Sequence, residues 1–562
     1  MKYSELCETY EELEKNPSRL KKIEILTKFL KKIKKSKNKE IIYLLQGRVF
    51  PDYNKTELGV SSQLIKKAVA KSTGASENEI TKIWKKIGDL GSTAEELVKS
   101  KKQRTLSSHI LTAEKVLENL KKLPEFKGAG TVNKKIGLVS ELLTSAKPIE
   151  ARYVVRTVLS DLRIGTGEST IRDAIVETCL EKGKENSELI EDVYDKSLDF
   201  AAVFEKACKG KRALAGTVLS PGKAVKVMLY PKVDNVKEGF ERAGKPTAFE
   251  YKYDGFRIMI NKDEKGEISL FTRRLDNVSN QFPDLVKAVK ENIRGKSFII
   301  DSEAVGYDPK TKLYQPFQFI SQRIKRKHHI ERLEKELPVE LVVFDVIYHN
   351  GKSYIKEPFA KRRKLIDKII KEQKRKIVLA EQKITSSEKE AEEFFNKAIK
   401  EGQEGLMVKK LDAPYKPGSR VGYGFKLKPE ARDFDLVITG AEYGTGKRAG
   451  WLTSFDVSCR GKKRGKFLEV GKVSTGFKEK VEMGMSFKEM SKKIKKLIIK
   501  SHGKHVDIKP KLVVTVIYQN IQKSPKYTSG FALRFPRFSR LRPDRGVGDI
   551  ATLGEIRREY GK

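Results

Sequence analysis

The spacing of apolar residues changes character along this chain of 562 residues, and the change limits the possible folds more than any single motif does. Up to about residue 215 the period is helical. In SSQLIKKAVAKSTGASENEITKIWKKIGDLGSTAEELVKS, apolar residues recur at three- and four-residue spacing, broken by Gly and by Ser, Thr and Asn at cap positions. Across GTVLSPGKAVKVMLYPKV (216–233) Gly and Pro accumulate and the pattern becomes alternating. From there to about 430, short strands alternate with helical stretches: FEYKYDGFRIMI, EISLFTRR, SFIIDSEAVGYD, ELVVFDVIYH and EGLMVKK. Beyond 430, LVITGAEYGTG, SFDVSCR, KFLEVGKVSTGF and LVVTVIYQ read as strands with Gly-rich links, interrupted by a helical patch at FKEMSKKIKKLIIK.

So long a chain exceeds one hydrophobic core. The expectation is a multidomain protein: an all-α domain at 1–220, an α+β domain at 221–430, and a small C-terminal β-barrel of the OB-fold type at 431–562. Lys and Arg number 117 against 75 Asp and Glu, a net charge of +42 that attracts polyanions. Nucleic acid is the first candidate partner, although a Lys-rich compositional bias accounts for part of the excess. A membrane partner is not expected, because no apolar run spans a bilayer and MKYSELCETYEELEK has no signal-peptide core. Cys7, Cys179, Cys208 and Cys459 form no C-x-x-C pair, and the six histidines show no ligand spacing with them. That argues against a zinc finger or a disulfide framework and fits the reducing cytoplasm. In the helical part, the turn Arg163–Thr170 leads into IRDAIVETCL. Free backbone N–H groups there, with Arg163 and Arg172, suit a DNA phosphate, and a plain helix–helix turn explains them equally well.

The charged residues of the middle region bear on chemistry. In EYKYDGFRI, alternation puts Tyr251 and Tyr253 on one face and Glu250, Lys252 and Asp254 on the other, with Asp254–Gly255 as a type I′ hairpin signal. Asp301 and Glu303 share a face in FIIDSEAVGYD. Glu404 opens EGLMVKK, which ends at Lys409 and Lys410, and Lys426 and Lys428 share a face in GFKLKPE. Arg257, Arg273, Arg274 and Arg420 occupy similar strand or turn positions. Carboxylates suit a hard cation such as Mg²⁺, and Lys/Arg groups suit a polyphosphate. A lysine among other cations gives up its proton more easily and becomes a usable nucleophile. Singly, each residue reads as a surface charge; together they describe a site for a nucleoside triphosphate.

At this point the chain resembles the ATP-dependent DNA ligases, most closely the archaeal replicative type, over nearly its whole length. The family's K-x-D-G-x-R motif stands at Lys252–Arg257, and FTRRLDNVSNQFPDL carries Arg273. FIIDSEAVGYD matches the motif with the metal- and ribose-facing acid, Glu303. VFDVIYHNGKS matches the one whose aromatic, Phe344, stacks on adenine. EGLMVKK supplies Glu404 as a second metal-facing acid, and YKPGSR with GFKLK supplies Arg420, Lys426 and Lys428. FALRFPRFSRLRPDR resembles the C-terminal motif brought to the pyrophosphate, with Arg534 and Arg537.

The resemblance implies a helical DNA-binding domain, an adenylation domain and an OB-fold domain that seal nicks during replication, repair and recombination. Lys252 is the implied AMP-carrying nucleophile, Glu250 the reader of adenine, and Arg257 and Arg273 the holders of ribose and phosphate. Lys426 and Lys428 meet the α-phosphate. ATP and Mg²⁺ or another divalent cation are the implied cofactors, and nicked double-stranded DNA is the partner of a monomer. Gln103–Leu106 is the position for a sliding clamp, although it lacks paired aromatics and reads more readily as a polar helix-flanking loop. The chain departs from the family at Gly424, where many relatives have Trp, and at Thr515, Gln519 and Asn520. A capping guanylyltransferase, an RNA ligase, an NAD-dependent ligase and a catalytically dead DNA-binding scaffold are the alternatives. The long helical region disfavours the first, the cysteine spacing excludes the NAD-dependent type, and the filled core positions disfavour the scaffold.

Overall fold

In a computed structural model the described residues are 1–100, 110–326, 328–418, 422–429, 432–444, 448, 450–463, 465–477 and 485–561. They divide into two compact units, Met1–Lys428 and Pro429–Lys562.

The first unit begins with α-helices, from Tyr3–Lys15 to Lys211–Ala215. The turn at 88–91 shows how sequence makes them. Gly88 ends the helix Glu77–Ile87 in the left-handed conformation, and the Asp89 side chain caps Leu90–Lys99 by accepting from the N–H groups of Gly91 and Ser92. The turn at 163–170 has a similar structural role. Arg163 pairs with Asp161, and Arg172 pairs with Asp173 and Glu191, so both cations already have carboxylate partners.

Strands follow after 231: β1 (Lys232–Val233), β2 (Thr247–Tyr251), β3 (Phe256–Lys262), β4 (Ile268–Thr272), β5 (Phe298–Gly306), β6 (Val339–His349), β7 (Lys352–Ser353), β8 (Ile377–Leu379), β9 (Gln382–Thr385), β10 (Leu406–Lys409) and β11 (Gly424–Leu427). They form two sheets. One runs β1-β11-β10-β2-β9; the other runs β4-β3-β5-β6-β7, with β8 beside β6. Leu406, Val408, Phe425 and Leu427 enter an apolar cluster with Phe240 and Phe394, from the helices Val236–Ala243 and Glu388–Lys400. One side of the second sheet packs on the helices Pro283–Asn292 and Phe359–Ile369. Met259, Phe271 and Ile299 instead continue the core of the N-terminal helices, so helical region and sheet share one apolar interior.

The expected Asp254–Gly255 hairpin is not there. β2 and β3 belong to different sheets, and EYKYDGFRI is the crossing between them. Gly255 does not take a positive φ; it is needed for space, since a Cβ there would lie 2.3 Å from the Ala304 carbonyl oxygen.

The second unit is mostly strand: β12 (Arg432–Tyr443), β13 (Leu452–Arg460), β14 (Phe467–Val473), β15 (Ile498–His502), β16 (His505–Ile508), β17 (Val513–Tyr518), β18 (Ile521–Lys523), β19 (Phe531–Leu533) and β20 (Arg537–Leu541). The main sheet runs β14-β13-β12-β16-β15, with β17 joining β12 to β20. The helical patch is shorter than its pattern suggested. Phe487–Lys495 is helix with a capping box at Ser486 and Glu489, but LIIK turns into β15, whose Ile498 pairs with Ile508. Thr515 is buried and donates to Asp435 Oδ1 at 2.6 Å, which accounts for a hydroxyl at that departure from the family pattern.

Candidate active site

A cavity of about 320 Å³ opens between the two sheets of the first unit. Glu250, Met407, Lys409 and Lys426 line it from one sheet; Arg257, Glu303 and Phe344 line it from the other, and Lys252 and Arg273 complete the set. The register explains the grouping. Glu250 lies opposite Met407, and Met407 opposite Lys426, so three neighbouring strands present one row to the cavity. Past the formal ends of β2 and β10 the ladder continues: Lys252 N–H donates to the Gly405 carbonyl at 2.9 Å, and Glu404 N–H donates to the Lys252 carbonyl at 2.8 Å.

That ladder sets Lys252 beside Glu404, and the two side chains form an ion pair. Glu404 also holds Lys428 Nζ at 2.9 Å. Burial acts to raise the Glu404 carboxyl, but the two ammonium groups prevail and hold it at about 2. The crowding of cations expected around Lys252 falls instead on Lys426. Burial, then the charges of Lys252, Arg273, Arg257 and Lys428, bring Lys426 down to about 8, and among the described residues it has no ion-pair partner. Glu404 stands between Lys252 and Lys428, whereas no acid among the described residues pairs with Lys426.

The other end of the cavity is built around Glu250. Its carboxylate is buried and takes Lys409 Nζ at 2.5 Å, Gln382 Nε2 at 2.8 Å and Arg363 Nη1 at 3.4 Å. Lys409 also lies over the rings of Phe344 and Phe359. Arg257 is anchored by Asp301, by the Met228 carbonyl at 2.7 Å and by Tyr415 Oη at 3.4 Å, and its guanidinium carbon is 5.5 Å from the centre of the Phe344 ring. Glu303 faces Lys252 and Arg257, yet burial outweighs both cations and pushes its carboxyl up to about 7. Arg273 is exposed at the rim.

The structure therefore brings together Lys252, Glu250, Arg257, Arg273, Glu303, Phe344, Glu404, Lys426 and Lys428. Arg420 lies outside the described residues, as do Gln103 and Leu106. Arg534 and Arg537 belong to the second unit. There the backbone N–H of Gln519 donates to the Arg534 carbonyl, and that of Arg534 to the Asn520 carbonyl. Sequence reasoning missed the supports: Lys409, Arg363 and Gln382 around Glu250, and Tyr415 behind Arg257. For Lys409 a signal existed, because Leu406 and Val408 are core and alternation leaves Met407 and Lys409 together on the opposite face.

Three family models match in chain order: DNA ligase N terminus over residues 2–176, ATP dependent DNA ligase domain over 227–428, and ATP dependent DNA ligase C terminal region over 448–545. The DNA ligase of Nanoarchaeum equitans is 42% identical across 100% of this chain and 98% of that protein. The chain belongs to the ATP-dependent DNA ligase family. The DNA ligases of Thermococcus fumicolans and Methanopyrus kandleri are each 40% identical across 100% of this chain, covering 98% and 99% of those proteins. The solved structure named Pmar-Lig_PreS3 shares the fold, with a TM-score of 0.57 at 17% identity over 95% of this chain and 99% of that one. As a member of this family the chain is an ATP-dependent DNA ligase, an enzyme of nick sealing. No helix among its described residues is long and apolar enough to cross a membrane.

Proposed function

We propose that Lys252 carries AMP as a phosphoramidate between ATP and the 5′-phosphate of a nick in double-stranded DNA. The observation that carries this reading is the position of Lys252 on the wall of one cavity that also holds an aromatic face, Phe344, and, at Lys426, a cation with no ion-pair partner among the described residues. Neutral Lys252 attacks the α-phosphorus and the bond to pyrophosphate breaks. The 5′-phosphate then takes AMP from the lysine, and the 3′-hydroxyl displaces AMP to close the backbone. Phosphoryl transfer is mostly positioning and charge stabilisation, which fits a site dominated by Lys and Arg. Phe344 stacks on adenine and Glu250 reads its edge. Arg257 and Arg273 hold the ribose and phosphate side, Lys426 and Lys428 meet the α-phosphate, and Arg420 adds to the phosphate contacts.

The acids present suit a divalent cation. Among the described residues Glu303 has no ion pair within hydrogen-bonding range, and Mg²⁺ is usually held by one or two carboxylates together with substrate phosphates. Glu303 would be its main ligand; Glu404 would join only by releasing a lysine. Bound there, Mg²⁺ would neutralise phosphate charge.

The domain division at 1–220, 221–430 and 431–562 belongs to the same proposal, with the last as an OB-fold. Supporting that fold, Phe538 N–H of β20 donates to the Thr475 carbonyl just beyond β14 at 2.9 Å, bringing the two outer strands towards closure. Arg534 and Arg537 act from that domain on the pyrophosphate. DNA binding is sequence-independent, by a monomer, and Gln103–Leu106 is the segment for a sliding clamp.

Incubation with α-labelled ATP and a divalent cation is expected to leave a covalent label that Lys252→Ala abolishes. Absence of label with both ATP and GTP overturns the reading, and preference for GTP favours capping chemistry.

A further inference from the structure

Two of the four cysteines meet in space, although no C-x-x-C spacing links them in the chain. Cys179 is the last residue of the helix Glu168–Cys179, and Cys208 stands in the last turn of Phe200–Lys209. They are 29 residues apart in sequence, and their sulfurs lie 2.7 Å apart. A disulfide bond is about 2.05 Å long, so a further approach of about 0.65 Å closes one. Helix ends are where such a shift is easiest, because the last turn frays most readily. Both residues are free thiols and partly exposed, whereas Cys7 and Cys459 are fully buried.

The pair also has the chemistry to react, since the thiolate is the nucleophile in disulfide exchange. A proton donated by Cys179 stabilises a thiolate on Cys208. With Lys34 and Lys39 adding positive charge, this outweighs burial and brings Cys208 down to about 7. Cys179 keeps its proton, pushed up by the same hydrogen bond and by burial. Burial raises Cys7 and Cys459, which have no such neighbour and stay inert.

The two helices bracket a third, Lys184–Ser197, and together they hold the chain as it leaves the helical region. Lys226 pairs with Glu168 at 2.6 Å and with Asp195 at 3.0 Å, and its ammonium lies over the Tyr194 ring. A bond between Cys179 and Cys208 ties these helices into one loop. We propose that Cys179 and Cys208 are a reversible oxidation site, closing an intramolecular disulfide when a low-molecular-weight disulfide accumulates and pinning the helices that hold Lys226.

The exchange balances in two steps. The Cys208 thiolate attacks one sulfur of R–S–S–R, and R–S⁻ leaves. Cys179 then loses its proton and attacks the Cys208 sulfur; the mixed disulfide breaks and a second R–S⁻ departs. Two protein thiols are oxidised, and the small disulfide is reduced to two thiols. In a reducing compartment the pair rests as thiols, and the bridge records a shift of redox poise.

The test is to incubate the full chain with oxidised glutathione, alkylate the remaining thiols in denaturant without reduction, and digest with trypsin. The expected product is one cross-link between the peptides carrying Cys179 and Cys208, two hydrogens lighter than the free pair, with Cys7 and Cys459 alkylated. Dithiothreitol removes it and Cys208→Ser prevents it, while that variant still forms the AMP label at the wild-type rate, which shows that it folds. The first thermal transition of the oxidised chain is expected to rise by about 3–8 °C, a shift absent from Cys208→Ser. Glutathione adducts that stay on either cysteine without the cross-link overturn the proposal. So does a cross-link that forms only in denaturant, or one that leaves the thermal transition where it was.

Discussion

The two ends of the active-site cavity are made from the same residue types and differ in how their charges are matched. At the Glu250 end, one buried carboxylate is enclosed by Lys409, Arg363 and Gln382, with Glu250 1% and Lys409 3% exposed. At the Lys252 end, Glu404 is shared between two lysines whose side chains are 19% and 27% exposed; Lys426, in the neighbouring row, has no ion-pair partner among the described residues. A buried, saturated cluster is rigid, because removing any member strands a charge in a poorly solvated place. A partly exposed cluster with surplus cations can exchange partners when a polyanion arrives. On the proposed reading, recognition is built into the fixed end, and the reacting phosphate is met at the end where charge is still available.

Breaking that contrast is most direct at Lys409. Lys409→Met leaves the Glu250 carboxylate short of its nearest cation, and the first unit is expected to lose about 3–5 kcal/mol in urea unfolding. A loss below about 1 kcal/mol would mean that Arg363 and Gln382 suffice and that this end is less tightly matched than its geometry implies. At the opposite end, Glu404→Gln frees two lysines that water can reach, so stability should change by less than about 1 kcal/mol. The rate of AMP-label formation, however, should fall by roughly a hundredfold as the positioning of Lys252 is lost. Equal stability losses in the two variants would erase the distinction.

The smallest effect is the pH dependence due to Lys426. Its folded value of about 8 lies below the ordinary lysine value, so the penalty is fully present below pH 8. Between pH 8 and about 10.4 the unfolded chain keeps a proton that the folded chain has released, and stability rises with pH. Unfolding of wild type and Lys426→Met at pH 7.5 and pH 10 should therefore show the wild type gaining on the variant. A gap that is flat or shrinks with pH would show that Lys426 is not the cation left without a partner.

Much of this site was legible beforehand because strand alternation is local. The faces assigned to Glu250 and Lys252, to Asp301 and Glu303, and to Lys426 and Lys428 are those that meet the cavity or its supports. The helix–helix turn at 88–91 also rests on local signals, a Gly cap and an Asp cap. Asp254–Gly255 misled because a turn dipeptide does not say whether the strands it joins will pair. The helical patch overran because LIIK suits either period, and its end was set by the ladder from β15 to β16.

The order of charged motifs and the change of apolar period are carried by the chain itself, since each depends on neighbours a few residues apart. They gave the helical and strand-rich regions, the family, and the residues to watch. Which cation each acid would hold was settled by packing. Glu404 meets Lys252 and Lys428 across two strand pairings, Glu250 meets Lys409 and Arg363 from distant segments, and Lys426 is left over. Those pairings span up to 159 residues of sequence, as between Glu250 and Lys409, and electrostatic energy depends on distance in space and on burial, which no local pattern records.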